Sequence, residues 1–133
     1  MNKRIKQKWI KALRSGKYKQ GRGHLHYDDK YCCLGVLTEL YIREHNGEKW
    51  EKMLGGNLFC FKAEECNLPE VVSDWAGLEE KDPLIVINDE KDILETVNDG
   101  TNGTPPNNFA DLLPHAIKPH TFNEIADLIE EQL

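Results

Sequence analysis

Apolar residues recur at every fourth position near the amino end of the chain. Ile5, Trp9 and Leu13 fall on one side of a helix with this spacing, while lysines fill most of the other side. Ser15 and Gly16 follow, and glycine is the usual residue just beyond the end of a helix. The pattern predicts an amphipathic helix of about 13 residues that begins near the start of the chain.

The apolar positions follow a different spacing after residue 23. Residues 24–27 and 30–32 flank Asp28 and Asp29, and two short alternating stretches around such a pair favour a tight hairpin turn. From residue 33 to about residue 45 the apolar positions return to helical spacing. This segment therefore predicts a hairpin that leads directly into a second helix.

Two short apolar runs in the second half of the chain predict strands. Residues 58–61 are rich in large apolar side chains, and residues 84–87 form a compact apolar run of strand length. Trp50, Met53 and Leu54 have a spacing that instead predicts a single turn of helix.

Three further helices are predicted in the same half of the chain. Pro69 favours the start of a helix and Gly77 its end, and residues 92–97 form another short helical segment. Thr121 and Glu124 form a capping-box pair, which marks the start of the last helix. The buried side of that helix is predicted to carry Phe122, Ile125, Ile129 and Leu133.

The elements together predict the α+β class, as a helix-dominated domain with a small antiparallel sheet or hairpin. The length of 133 residues argues for a single domain that spans residues 1–133. Residues 100–120 are rich in glycine, threonine, asparagine and proline, a composition that predicts an inserted loop.

Hydropathy excludes some classes of protein. No apolar run approaches the roughly 18 residues that a membrane-spanning helix needs. Residues 1–8 are basic but lack the apolar stretch of a secretory signal. We therefore expect a soluble intracellular protein with no membrane partner.

Charge is distributed unevenly along the chain. Residues 1–22 contain nine lysines and arginines and no acidic residue, while the remainder carries a net charge of −15. The cationic segment could gather an anion such as phosphate, or it could neutralise the acidic remainder of its own fold or of a symmetry mate. The same opposition of charge is compatible with a homodimer. Duplex nucleic acid is an unlikely partner because the acidic remainder would repel its phosphates, although an acidic mimic of nucleic acid is a further interpretation.

The segment at residues 17–23 carries the most informative local chemistry. Its two glycines, with Lys17, Lys19 and Arg22, could bring backbone N–H groups and cations to one anion. Tyr18 or Tyr27 could offer a flat ring to a base, although the spacing of a phosphate-binding loop is absent. The predicted ligand-binding residues are Lys17, Tyr18, Gln20, Arg22 and His24, with Asn98 and Asp99 as hydrogen-bond partners for a ribose or base.

Histidines and cysteines raise two further hypotheses. His24 and His26 would point to one face of a strand, and with a cysteine they suggest a Cys/His nucleophile. The cysteines lack the paired spacing of a structural zinc site, and burial as reduced, small apolar residues is their default. We predict no metal, no cofactor and no catalytic residue. The four cysteines are Cys32, Cys33, Cys60 and Cys66.

Four segments carry a resemblance to known sequences. They read WxxALRSGxYxQG at 9–21, YCCLGVL at 31–37, LPxxVxxWAGL at 68–78 and TFxEIADLIE at 121–130. With them the chain resembles a recurrent group of small bacteriophage and prophage proteins. It is also similar to a bacterial domain family of unknown function that has a Cys-Leu-Gly segment and an Asn-Asp pair before its final helix.

The resemblance implies a phage accessory protein that acts in the host bacterial cytoplasm. In the phage group the Asn-Asp pair runs almost directly into the last helix, whereas here residues 100–120 intervene. Our first hypothesis is a counter-defence protein that binds and sequesters an anionic, nucleotide-like small molecule without catalysis. The alternatives are a protein–protein inhibitor that uses its acidic surface against a host factor, and a small Cys/His hydrolase.

Overall fold

Helices and short strands alternate along the described part of the chain, which is residues 1–87, 90–100 and 118–133 of a computed structural model. The predicted α+β class, with one helix-dominated domain, is confirmed. The helices are α1 (Lys3–Arg14), α2 (Cys33–Glu44), α3 (Glu70–Ala76), α4 (Leu94–Asp99) and α5 (Phe122–Gln132). The strands are β1 (Lys19–Gln20), β2 (His26–Tyr27), β3 (Lys30–Tyr31), β4 (Glu51–Lys52), β5 (Leu58–Cys60), β6 (Leu84–Ile87) and β7 (Glu90–Ile93).

The strands form one five-stranded sheet, in the order β1-β3-β2-β5-β4, and one separate hairpin of β6 and β7. The larger sheet is mixed, because β1 pairs with β3 in parallel while its other neighbouring strands are antiparallel. The chain reverses once in the loop before β2 and again at Asp28-Asp29, so β3 points in the same direction as β1. The predicted hairpin of β2 and β3 is antiparallel. The separate hairpin of β6 and β7 is antiparallel as well.

Helix α1 forms as its apolar spacing predicts. The Asn2 side chain caps its amino end by accepting hydrogen bonds from the backbone of Arg4 and Ile5. Trp9 is fully buried, and its indole N–H donates to the carbonyl of Cys33 at 2.9 Å. The helix therefore packs its apolar side on α2 and α5, and the lysines stay outside.

Two predicted helical segments differ from the structure. The helical turn around residues 50–54 is wrong, because Glu51 and Lys52 instead pair with β5. Asp92 and Ile93 belong to β7 and not to a helix, because they pair with β6; α4 begins only at Leu94. In both places pairing with a neighbouring strand of the chain overrides the local helical spacing.

Residues 101–117, which contain most of the predicted inserted loop, lie outside the described residues. The residues on either side of this segment are close together. The backbone N–H of His120 donates to the carbonyl of Val97 at 3.0 Å, and Gly100 lies against Pro119. Helix α5 therefore starts beside the end of α4. None of the helices in the described ranges is long and apolar enough to cross a membrane.

Candidate functional site

Asn98, at the end of α4, is completely buried and uses its side-chain amide fully. Its Oδ1 accepts from Gln20 Nε2 at 3.0 Å and from the backbone N of Cys33 at 3.2 Å. Its Nδ2 donates to the carbonyl of Gly21 at 3.0 Å and to Asp99 Oδ1 at 2.7 Å. The amide therefore joins α4 to α2 and to the loop after β1.

Asp99 and Gln20 complete the attachment of this loop. The Oδ2 of Asp99 accepts from the backbone N of Gly23 at 2.9 Å, so the loop at 21–23 is held at both ends. Gln20 donates to the carbonyl of His120 at 2.7 Å and accepts from the backbone N of Phe122 at 3.1 Å. We name the group formed by Gln20, Asn98 and Asp99 the loop clamp.

The loop clamp changes the role of three predicted ligand-binding residues. The structure places Asn98 and Asp99 against the segment at residues 17–23, which contains Gln20. The polar atoms of all three, however, bind backbone groups of the chain and one another. We therefore assign these three residues to holding the loop. The buried Asn98 amide, in particular, has four hydrogen-bond partners and no donor or acceptor left for a ligand.

Register places two lysines and a tyrosine in one row across the sheet. Lys19 of β1 lies opposite Lys30 of β3, and Lys30 lies opposite Tyr27 of β2. Directly opposed residues point to the same side of a sheet, and all three side chains are exposed, Tyr27 to 49 %. We name this row the outer face. Lys30 was missing from the predicted site, since only the register reveals its position.

His24 extends the outer face, and the exposed Arg22 lies in the loop that precedes it. Arg22 is exposed between Gly21 and Gly23, the two glycines that the loop clamp holds. The His24 ring stacks on Tyr27, with 5.9 Å between centroids and 27° between planes. Cations and aromatic rings therefore lie side by side here.

The ion pairs of this region leave part of its charge available. Lys19 pairs with Asp29 at 2.6 Å. Within the described ranges Arg22 and Lys30 form no ion pair. Lys17 is exposed just beyond α1, where its backbone N donates to the hydroxyl of Ser15 at 3.2 Å.

Tyr18, also a predicted ligand contact, lies away from the outer face. Its ring meets Tyr31 edge-on at 5.3 Å, and the guanidinium of Arg43 lies 6.0 Å from its centroid. Partial burial raises the pKa of Tyr18 above its usual value. The prediction that it offers a ring to the same ligand as His24 is therefore corrected.

The two histidines lie on different sides of the sheet. His26 is buried between Tyr31 and Phe59, at centroid distances of 4.1 and 4.2 Å, and burial lowers its pKa. His24 stacks on the outer-face Tyr27 instead. The prediction that both imidazoles share a face fails because β2 begins only at His26, so the alternation does not include His24.

Several amino-terminal cations are occupied within the fold. Arg4 and Lys8 both pair with Glu44, and together they hold the pKa of that carboxyl at about 2. Arg14 pairs with Asp127 and Glu130, at 2.6 Å in each case. The interpretation that the basic segment neutralises acidic residues of its own fold is confirmed for these three side chains.

Burial disfavours the two cysteines at the start of α2 as nucleophiles. Cys32 and Cys33 are fully enclosed, and burial raises the pKa of Cys32 to about 12 and that of Cys33 well above its usual value. A nucleophilic cysteine must ionise, so the protein environment opposes the Cys/His hydrolase hypothesis at these positions. Cys66 lies 3.7 Å from His24 Nδ1, yet its pKa is also raised, chiefly by burial. In the described ranges no three metal-ligating side chains come together.

Asp82, which precedes β6 in the chain, lies against the amino end of α4, the helix that carries Asn98 and Asp99. Its Oδ1 accepts a hydrogen bond from the backbone N of Glu95 at 3.1 Å. Burial raises the pKa of Asp82 from its ordinary 3.8 to about 6, and burial also raises the pKa of Glu95. The Asp82 carboxyl group therefore keeps its proton up to a higher pH in the folded protein than in the unfolded chain.

We expect Asp82→Asn to stabilise the protein at neutral pH. The stability due to the protonated carboxyl is complete below pH 3.8 and is lost as the pH rises through about 6. Asparagine keeps an oxygen for the Glu95 N–H but carries no charge. After allowance for partial solvent exposure, the gain in free energy of unfolding above pH 7 is about 1 kcal/mol.

Urea unfolding at pH 5 and pH 7.5 measures this effect. The advantage of Asp82→Asn over the natural chain should grow between the two pH values. Asp74→Asn, which removes an exposed carboxylate on α3, is the control and should change little. An advantage of Asp82→Asn that is the same at both pH values would contradict the assigned titration.

Comparison with known proteins adds one finding. The family model described as "Domain of unknown function (DUF8296)" matches residues 1–133. No curated protein and no solved structure matches the chain. The family match covers both the loop clamp and the outer face, and the phage origin stays a prediction.

Proposed function

We propose that this chain, which belongs to the DUF8296 family of domains of unknown function, binds and sequesters an anionic, nucleotide-like small molecule without catalysis. The observation that carries the proposal is the loop clamp, which holds the backbone on both sides of the exposed Arg22, in the loop that leads to the His24–Tyr27 stack. A buried polar group with every atom paired specifies one conformation, and here it specifies that of a surface loop.

The cations of the outer face suit a phosphate group. Arg22 offers a planar fork of N–H donors, and Lys30, which lies against the neighbouring Gly21, offers a compact charge. A Cβ on Gly21 would lie 2.9 Å from Lys30 Cβ, so the loop and β3 are in close contact. Lys19 adds a third charge that an anion could share with Asp29.

The aromatic side chains suit a base or another flat ring. Tyr27 is half exposed and already stacks with His24, so a ligand ring could extend the stack outward. Recognition of a ring beside a phosphate is the minimum that a nucleotide requires. The loop is held before the ligand arrives, which reduces the entropy lost on binding.

The non-catalytic part of the proposal rests on the chemistry available nearby. Cys66, whose sulfur lies 3.7 Å from His24 Nδ1, has a raised pKa, and its thiol donates to the carbonyl of Gly23 at 3.1 Å. Sequestration needs affinity alone, which the outer face can provide. The resemblance to phage proteins supplies the setting, a counter-defence role in the bacterial cytoplasm.

Calorimetry against a panel of cyclic and linear nucleotides tests the proposal. We expect at least one nucleotide to bind, and the double variant Arg22→Gln with Lys30→Gln to weaken it about tenfold or more. Higher salt should weaken binding as well, since the contacts are exposed. Lys11→Gln is the matched control, because Lys11 is an exposed cation on α1.

Two results would remove the proposal. One is no heat of binding with any nucleotide in the panel. The other is binding that the double variant and the Lys11 control reduce equally, because the charge of the whole protein and not the outer face would then be responsible.

A further inference from the structure

The outer edge of β6 is bound by a side chain in the way another strand would bind it. The backbone N of Val86 donates to Gln132 Oε1 at 2.7 Å, and Gln132 Nε2 donates to the Val86 carbonyl at 2.9 Å. A side-chain amide thus takes the position of one peptide group of a neighbouring strand.

The backbone groups of Leu84 share this outward direction. Pro83 bonds to Leu94 across the hairpin, and in an antiparallel pair the residues alternate between facing the partner strand and facing away. Leu84 and Val86 therefore direct their N–H and C=O groups away from β7. Their side chains are also exposed, to 47 % and 44 %.

A groove of about 310 Å³ lies beside this edge. Leu78, Pro83 and Leu84 supply apolar wall, and Gln132 forms part of the lining. Glu79 and Glu80 line the groove too; they are exposed and form no ion pair within the described ranges. The groove thus combines strand-edge hydrogen-bonding groups, apolar surface and negative charge.

We propose that β6 and this groove bind an extended peptide segment of a protein partner, with apolar side chains in alternation and a basic side chain beside Glu79 and Glu80. The peptide adds to β6 as a strand and displaces the Gln132 amide together with the end of α5, which contacts β6. Main-chain hydrogen bonds supply affinity in this mode, and alternate side chains supply specificity. The surface is separate from the outer face and does not depend on the proposed nucleotide site.

Charge favours such a peptide over a second copy of the chain. A two-fold contact through the groove would place the same surface on both sides. Glu79 and Glu80 of one copy would then approach those of the other, and like charges would repel. A basic segment from another protein would meet complementary charge instead.

Fluorescence anisotropy of the full chain tests this surface with two labelled decapeptides, one alternating valine with lysine and one alternating valine with glutamate. We expect the valine–lysine peptide to bind more tightly. Val86→Pro should weaken it about tenfold, because proline removes an outward N–H that β7 does not use. Val86→Ala keeps that N–H and is the matched control.

Two further variants keep the test decisive if Val86→Pro does not fold. Glu79→Gln with Glu80→Gln should weaken the valine–lysine peptide about fivefold, and Gln132→Ala should strengthen it by removing the competing amide. Equal binding of both peptides, or affinities that no variant changes, would overturn the proposal. A dimer seen by sedimentation and lost in Val86→Pro would also overturn it, because it would assign the groove to a second copy.

Discussion

Replacement of Gly35 by alanine is expected to lower the free energy of unfolding by at least about 3 kcal/mol. A Cβ at this position would lie 1.8 Å from the carbonyl oxygen of Leu25 and 2.7 Å from its carbonyl carbon. Both atoms are backbone, so α2 or the chain before β2 would have to move. Helix propensity alone predicts the opposite sign, a gain of about 1 kcal/mol for alanine in a helix interior.

Urea unfolding of Gly35→Ala and of the natural chain distinguishes the steric clash from the gain in helix propensity. Gly56→Ala is the control, because a Cβ there would have its nearest neighbour at 3.8 Å and the backbone is not in the left-handed region. We expect Gly56→Ala to unfold close to the natural chain. A Gly35→Ala protein as stable as that control would show that Leu25 and α2 are not in close contact.

The position of Gly35 explains the YCCLGVL segment physically. Cys32 caps α2 through its thiol, which accepts from the backbone N of Gly35 at 3.3 Å. The backbone N of Cys32 donates to the Leu25 carbonyl at 3.3 Å, and Gly35 packs against the same carbonyl. Cys33 is buried against α4. The segment therefore joins α2 to α4 and to the chain just before β2, which is a structural role.

Elements with local signals were predicted correctly. The Asp28-Asp29 turn forms, and Asp28 takes a φ of 53°, a left-handed conformation that aspartate tolerates better than most residues. Thr121 and Glu124 make both hydrogen bonds of the capping box. Each of these signals depends on neighbours in sequence, so the residue types alone were sufficient.

Elements defined by strand pairing were not predictable in the same way. The two residues of β4 are exposed, and nothing but pairing with β5 makes them a strand. The outer face has the same origin, because Lys19, Lys30 and Tyr27 share a side only through the register of three strands. The sequence could identify cations and rings, but their grouping depends on that register.

The sequence identified polar residues for the candidate site but not their roles. The hypothesis grouped the segment at residues 17–23 and His24 with Asn98 and Asp99, and the structure places Asn98 and Asp99 beside Gly21 and Gly23. The sequence could not show that the Asn98 amide would be occupied by Gln20, Cys33 and Gly21, because those partners come from separate parts of the chain. A polar side chain can bind a ligand only if its donors and acceptors are not already used in hydrogen bonds within the fold.

Asn98→Ala should test the loop clamp by lowering the free energy of unfolding by about 3 kcal/mol. The substitution leaves the buried Cys33 N–H and the Gly21 carbonyl without their partner, and Gln20 and Asp99 each lose a hydrogen bond. Unpaired buried groups keep their full desolvation cost, so the loss exceeds that of one exposed hydrogen bond. Urea unfolding measures it.

Asn57→Ala is the matched control, since Asn57 is exposed and its hydrogen bond with the backbone N of Asp28 uses the backbone carbonyl. Amide exchange in Asn98→Ala adds a local readout. The Gly23 N–H should exchange faster than in the natural chain, because Asp99 loses the Asn98 amide that orients it. If Asn98→Ala and Asn57→Ala were equally stable and Gly23 kept its protection, Asn98 would not hold the loop. Arg22 would then lack the fixed position on which nucleotide binding at the outer face depends.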